Sequence, residues 1–162
     1  MNWIINGNSR FEYHTHLNLI LQPIMDDIDG FNWLISDLTF MILNVGNETL
    51  PINHENPYFI LSSGEFDKVL KTDIQIIWGV IIGIPNENKI NLDETEIPYA
   101  DGNSQVWEEN YFQNENAEIE ITCFDSSVTI IKFRNKYLSD KFKAFFTEAI
   151  SLKQYNTQSK NN

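Results

Sequence analysis

Few side chains in this sequence stand at spacings that chemistry requires. His14-Thr15-His16 is the densest pair of metal-type ligands. On an extended segment, residues two apart project to one side, so both rings could hold zinc with Glu12 and His54 as further ligands by type. The set follows no known metal spacing, and polar residues opening a helix are the simpler reading. Asp27 and Asp29 before Gly30 match the start of a calcium loop. Counting from Asp27, however, Asn32 takes the glycine position and Leu38 the closing glutamate position, so a turn is expected. Glu108-Glu109 pairs two carboxylates, as acid–base catalysis would need, but neighbours on a regular element diverge and nothing marks a cleft. Ser62-Ser63-Gly64 has no nucleophile elbow around it, and no phosphate loop or dinucleotide fingerprint occurs.

Cys123 is the single cysteine, which excludes an internal disulfide and any multi-cysteine zinc site. It alternates with Ile119 and Ile121 on one strand face, so it reads as a small buried apolar residue. A reactive thiol would want a cation nearby, and Glu120 and Asp125 are the local charges instead. No catalytic residue, no metal and no cofactor are therefore expected.

The elements that would position any site follow from the hydrophobic pattern. The chain has 162 residues, 42% hydrophobic, with eleven Phe and four Trp, enough for one core without staples. Thr15 is expected to cap a helix through Leu17, Leu19, Ile20, Leu21 and Ile24, ended or kinked by Pro23. Phe31 to Ile35 and Leu38 to Val45 read as two strands separated by Ser36-Asp37, and Tyr58 to Leu61 as a short one. Ser62 or Ser63 caps a middle helix with Glu65 near its start and Lys71 at its end. Ile74 to Ile84 is almost continuously apolar, the pattern of a central strand covered on both faces. Residues 117–124 and 128–133 form a hairpin turned at Asp125-Ser126-Ser127.

A long C-terminal helix is expected from about Asn135 to Tyr155, with Leu138, Phe142, Phe145, Phe146, Ala149 and Leu152 as its apolar stripe. The fold class is α+β: one domain over residues 1–155, with a mostly antiparallel central sheet of about five strands, an N-terminal helix, a middle helix and a long C-terminal helix. Residues 156–162 read as a disordered polar tail. The opening Met1-Asn2-Trp3-Ile4-Ile5 lacks the form of a signal peptide and no stretch is long enough to span a bilayer, so a cytoplasmic location is expected.

Charge is distributed unevenly. The net charge is −12, and from Glu87 to Glu120 there are ten acids with Lys89 as the sole base. After Asp125 the sign reverses, with seven bases against Asp140 and Glu148. Such a body repels phosphate backbones, so binding to nucleic acid is disfavoured, and neither nucleic acid nor a membrane is expected as a partner. The acids are interleaved with Tyr99, Trp107, Tyr111 and Phe112 in a stretch without periodicity. Aromatic anchors ringed by charge are the usual make-up of an interface, which marks Asp101, Trp107, Glu108, Glu109, Tyr111, Phe112 and Glu115 as candidate partner-binding residues. The opposing readings are a solvated acidic surface, and Trp107 and Phe112 as mere cover for the sheet.

The run Leu21-Gln22-Pro23-Ile24 followed by Phe31-Asn32-Trp33-Leu34-Ile35, with the Ser-capped helix after Tyr58-Phe59-Ile60-Leu61, resembles an uncharacterised family of small bacterial α+β proteins. In size, acidity, low cysteine content and irregular mid-section the chain is similar to immunity proteins of bacterial polymorphic-toxin and contact-dependent inhibition systems. That second resemblance implies a protein that captures and neutralises a cognate basic toxin, possible toxin classes including nucleases. The alternative is a small-molecule-binding domain or small enzyme with a pocket beneath residues 91–116.

Overall fold

Ile74–Pro85 carries apolar side chains on both faces, so both must be covered. It lies third in an antiparallel sheet of seven strands among the described residues. A computed structural model describes residues 1–6, 13, 15–43, 49–53 and 55–159, the side chain of Glu94 excepted. In chain order the strands are β1 (Asn2–Asn6), β2 (Phe31–Ile42), β3 (Tyr58–Leu61), β4 (Ile74–Pro85), β5 (Ile119–Phe124), β6 (Val128–Phe133) and β7 (Ile150–Ser151). The helices are α1 (Leu17–Leu21), α2 (Ser63–Leu70), α3 (Lys136–Phe145) and α4 (Leu152–Ser159). The sheet order is β3-β2-β4-β5-β6-β1-β7, with every neighbouring pair antiparallel.

The architecture is α+β, with seven strands in place of the expected five or so. Two short strands make the difference. β1 pairs with β6, Asn2 opposite Lys132, and β7 adds Ile150 and Ser151 to the outer edge of β1. Neither has a local pattern long enough to announce itself.

Helices α1, α2 and α3 cover one face of the sheet. There Ile20, Phe66, Val69, Leu138, Phe142 and Phe146 pack with Trp33, Ile81, Ile119, Ile121, Cys123 and Ile131 in the largest apolar cluster. Trp33 stacks on Phe66 at 4.1 Å and sits over Gly83, where a Cβ would come within 3.2 Å of its ring. The opposite face carries Leu34, Val80, Ile82, Ile84, Ile4 and Ile130. The irregular segment between β4 and β5 lies over it, supplying Ala100, Val106 and Ala117, and Leu152 of α4 completes the cover.

Four expectations need correction. Phe31 to Val45 is not two strands: β2 runs unbroken to Ile42, and Ser36-Asp37 lies inside it as a bulge, with Asp37 at a φ of 51°. Val45 itself is outside the described residues. A second irregularity at Ile77 of β4 restores the register, since Ser36 faces Val80 and Phe40 faces Ile76. The alternation of β4 therefore flips, and Ile76 lies on the helix-covered face while Val80 and Ile82 lie on the other.

The long C-terminal helix is instead two short ones. α3 ends at Phe145, and Phe146 leaves helical geometry at φ −97°, ψ 74°. The Lys143 ammonium donates to the carbonyls of Thr147 and Ala149 at 2.6 and 2.8 Å, so the turn satisfies its own backbone. Phe145, placed in the core by the stripe, is 39% exposed, while Phe142 and Phe146 are buried. Asn156 to Ser159, read as the beginning of the tail, belong to α4, and residues 160–162 lie outside the described set.

Thr15 does not cap α1 with its side chain; its hydroxyl donates to the carbonyl of Ile76 across the core, and His16 is the N-cap. Ser62, by contrast, forms a full capping box with Glu65, whose carboxyl these hydrogen bonds hold below its ordinary value. Asp125 and Ser126 both take positive φ in the hairpin turn between β5 and β6. Among the described residues no helix is long and apolar enough to cross a membrane.

Candidate protein-binding face

The acidic segment has little regular structure of its own, so side chains of the sheet must hold it. The bulge in β2 supplies the first anchor. Its strained backbone turns the Asp37 carboxylate toward the segment, where Oδ2 accepts from the amides of Ala100 and Asp101 at 2.7 and 3.2 Å. Beside it the Ser36 hydroxyl donates to the carbonyl of Pro98 at 2.7 Å. Within the segment, Gln113 Oε1 accepts from the Tyr99 amide and from Asn103 Nδ2, at 2.9 and 3.0 Å. Asn103 also caps the 3-10 turn Ser104–Trp107 by accepting from the Gln105 amide.

The second anchor is an ion pair inside the protein. Glu120 and Lys132, opposite each other on β5 and β6, point to the covered face and are both inaccessible to solvent. The ammonium lies 3.3 Å from Glu120 Oε1 and donates to the Tyr111 carbonyl at 2.7 Å. Glu120 Oε2 accepts from the Gln113 amide at 2.7 Å. Burial pushes the Glu120 carboxyl up and the Lys132 ammonium down from their ordinary values, each opposed by the partner's charge. Just past the end of β6, Arg134 Nε donates to the Ala117 carbonyl and its guanidinium sits 4.3 Å from the Phe112 ring centre.

At the far end α4 provides the third anchor. Asn156 Nδ2 donates to the Trp107 carbonyl at 2.8 Å, and the Tyr155 ring stacks on Trp107 at 5.6 Å. Phe124 meets the Trp107 indole edge-on at 5.1 Å. The segment is pinned at both ends and in the middle.

The candidate residues distribute around these anchors. Glu108, Glu109, Asp101 and Glu115 are exposed, while Trp107, Tyr111 and Phe112 are half-buried. Trp107, Glu108 and Glu109 come together around one depression of about 590 Å³, with Ser104, Tyr155, Asn156 and Ser159. Asp101, Tyr111, Phe112 and Glu115 do not line it. Phe112 packs on the core of the covered face, and Tyr111 lies over Lys132 at 5.7 Å. Tyr99, at 50% exposed, is the most open aromatic ring of the segment. Sequence reasoning missed the residues that hold the face in place, Ser36, Asp37, Lys132, Arg134 and Asn156. Their only signal was their type, since each partner is distant in sequence.

The carboxylates of this face differ from those elsewhere. Asp67, Asp140 and Asp27 are paired with Lys71, Lys136 and Lys141, each at 2.5 Å. Among the described residues no salt bridge involves an exposed carboxylate between Glu87 and Glu118.

No protein family matches the chain, and no curated protein or solved structure does.

The chemistry-bearing candidates have structural surroundings. His16 Nε2 is 3.9 Å from Asp73 Oδ1, which also accepts from the Tyr13 hydroxyl at 2.9 Å, and the His16 ring stacks on Tyr13. Glu12, His14 and His54 lie outside the described residues. Among the described residues no three His, Cys, Asp or Glu side chains are grouped as a metal ion would need. Cys123 is buried, which drives its thiol pKa far up and keeps it protonated.

Proposed function

We propose that the chain is a binding protein that captures a basic protein partner on its acidic face, in the manner of a bacterial immunity or inhibitor protein acting in the cytoplasm on a cognate toxin. One observation carries this reading: exposed carboxylates that make no salt bridge among the described residues stand on a segment that the sheet and α4 anchor through side-chain hydrogen bonds. A face that only solubilises the protein needs charge but not fixed geometry. A face that must match another protein gains from both, because less entropy is lost on binding and the field speeds encounter. A toxin with a basic substrate cleft, such as a nuclease, would accept such a face in place of phosphates.

Ala100 and Val106 pack between the segment and the sheet, both fully buried, so a ligand-binding or enzyme reading would have to use cavities at the segment's margins, such as the depression beside α4.

Co-expression with the product of the adjacent reading frame is the test. The reading expects a toxic neighbour, growth restored by this chain and a complex that co-elutes in size-exclusion chromatography. A neighbour that is neither toxic nor bound removes it.

A further inference from the structure

The depression between the Ser104–Trp107 turn and α4 has a specific chemical character. Part of its lining is aromatic: Trp107 and Tyr155, stacked on one another at 11° with 5.6 Å between ring centres, both border it. Its rim carries the carboxylates of Glu108 and Glu109, both exposed. Ser104, Asn156 and Ser159 add polar groups around the opening. The volume, about 590 Å³, falls within the range of roughly 300–1,000 Å³ common to ligand pockets. The bond from Asn156 to the Trp107 carbonyl ties the two walls together.

From this combination we infer that the depression is a slot for one arginine side chain of the partner. The inference rests on the basic-partner reading above and specifies its anchor. Both parts of the site suit a cation: the aromatic lining attracts one through the ring quadrupole, and the two carboxylates neutralise it. Arginine fits better than lysine. Its planar guanidinium is weakly hydrated, stacks on an indole and offers paired donors to a carboxylate, whereas the lysine ammonium is compact and holds its water. The slot opens at the edge of the acidic face, so a basic segment drawn in by the wider field reaches it in passing.

The probes are capped tetra-arginine and tetralysine peptides, titrated into the full chain labelled with nitrogen-15. Four tryptophans give four indole N–H signals, and Trp107→Phe assigns the one that matters. Tetra-arginine should move the Trp107 signal with an affinity at least about fivefold above that of tetralysine, while the buried Trp33 signal stays still. Glu108→Gln with Glu109→Gln, two exposed positions, should abolish that preference without disturbing Trp33. An unmoved Trp107 signal, equal affinities, or a preference that survives the double substitution would overturn the slot. Adding the adjacent gene product to the same sample keeps the two ideas apart. Binding that leaves Trp107 unmoved removes the slot and keeps the partner. No binding, with tetra-arginine still seated, removes the partner reading and keeps the slot.

Discussion

Lys132 and Glu120 face one another across β6 and β5 with both side chains sealed from water, 3.3 Å apart, and each also holds a backbone group of the acidic segment. A buried pair of this kind contributes little net stability relative to apolar residues, because desolvation offsets attraction. Its effect here is positional: it fixes residues 111–113 over the sheet. Removing one partner leaves an uncompensated buried charge, which costs far more than the pair is worth.

Lys132→Met should therefore destabilise the protein by about 3–5 kcal/mol near neutral pH. The deficit should depend on pH with a definite sign. Burial already holds Glu120 above its ordinary value of 4.5, and losing Lys132 removes the strongest opposing influence. The folded state then binds a proton more tightly than the unfolded chain, so that contribution is full below the unfolded pKa and lost as pH rises through the folded one. In denaturant melts the gap to the parent should narrow toward pH 4.5 and widen toward neutrality. A gap independent of pH would show that Glu120 is not the group responding.

Replacing both partners, Glu120→Leu with Lys132→Met, separates stability from positioning. The double variant should melt within about 1–2 kcal/mol of the parent, because an apolar pair avoids the desolvation cost. The Gln113 amide loses its acceptor, and its hydrogen exchange should accelerate while amides of the β4–β5 ladder keep their protection. Unchanged exchange at Gln113 would mean that the segment is held without the pair.

Much of this fold was legible in the sequence, and the exceptions share a cause. The central strand, the Ser62 cap and the hairpin turn at Asp125 are set by residues close to one another, so local pattern finds them. The stripe Phe142, Phe146, Ala149, Leu152 keeps helical spacing across a real break: the turn at Phe146 keeps Ala149 in the helix-covered cluster, whereas Leu152 passes to the opposite face with Ile4 and Ile130. Ser36 and Asp37 are turn-forming types, yet here they bulge from a strand to hold a segment more than sixty residues away. Glu120 stands between Ile119 and Ile121 and Lys132 between Ile131 and Phe133, as solvent-facing residues of a strand do, and only the chain's own cover puts them inside. The acidic and aromatic content of the candidate face was visible from composition. Its anchors were not, since a bond between distant residues leaves no periodicity.

The break after α3 makes a simple packing prediction. Phe146→Ala should cost about 3–5 kcal/mol in a denaturant melt, since the ring is fully buried between Phe142 and the core. Phe145→Ala, at an exposed position, should cost about 1 kcal/mol or less. Equal losses would mean that the helix continues and buries both.

Cys123 should be inert in the native state. Its thiol is enclosed by the largest core cluster and held protonated by burial. A thiol reagent should label it only under denaturing conditions, with a rate that follows global unfolding. Rapid labelling of the folded protein would contradict the burial of this face.

Association kinetics test the central claim most directly. With the adjacent gene product on a biosensor, the association rate should fall steeply as salt is raised, by screening of the acidic face. Glu108→Lys with Glu109→Lys should slow association by about tenfold or more at low salt, while Trp107→Ala should mainly shorten the complex's lifetime, by the equivalent of about 2 kcal/mol. Salt-independent association, with both variants binding at the parent's rates, would place the interface elsewhere on the molecule.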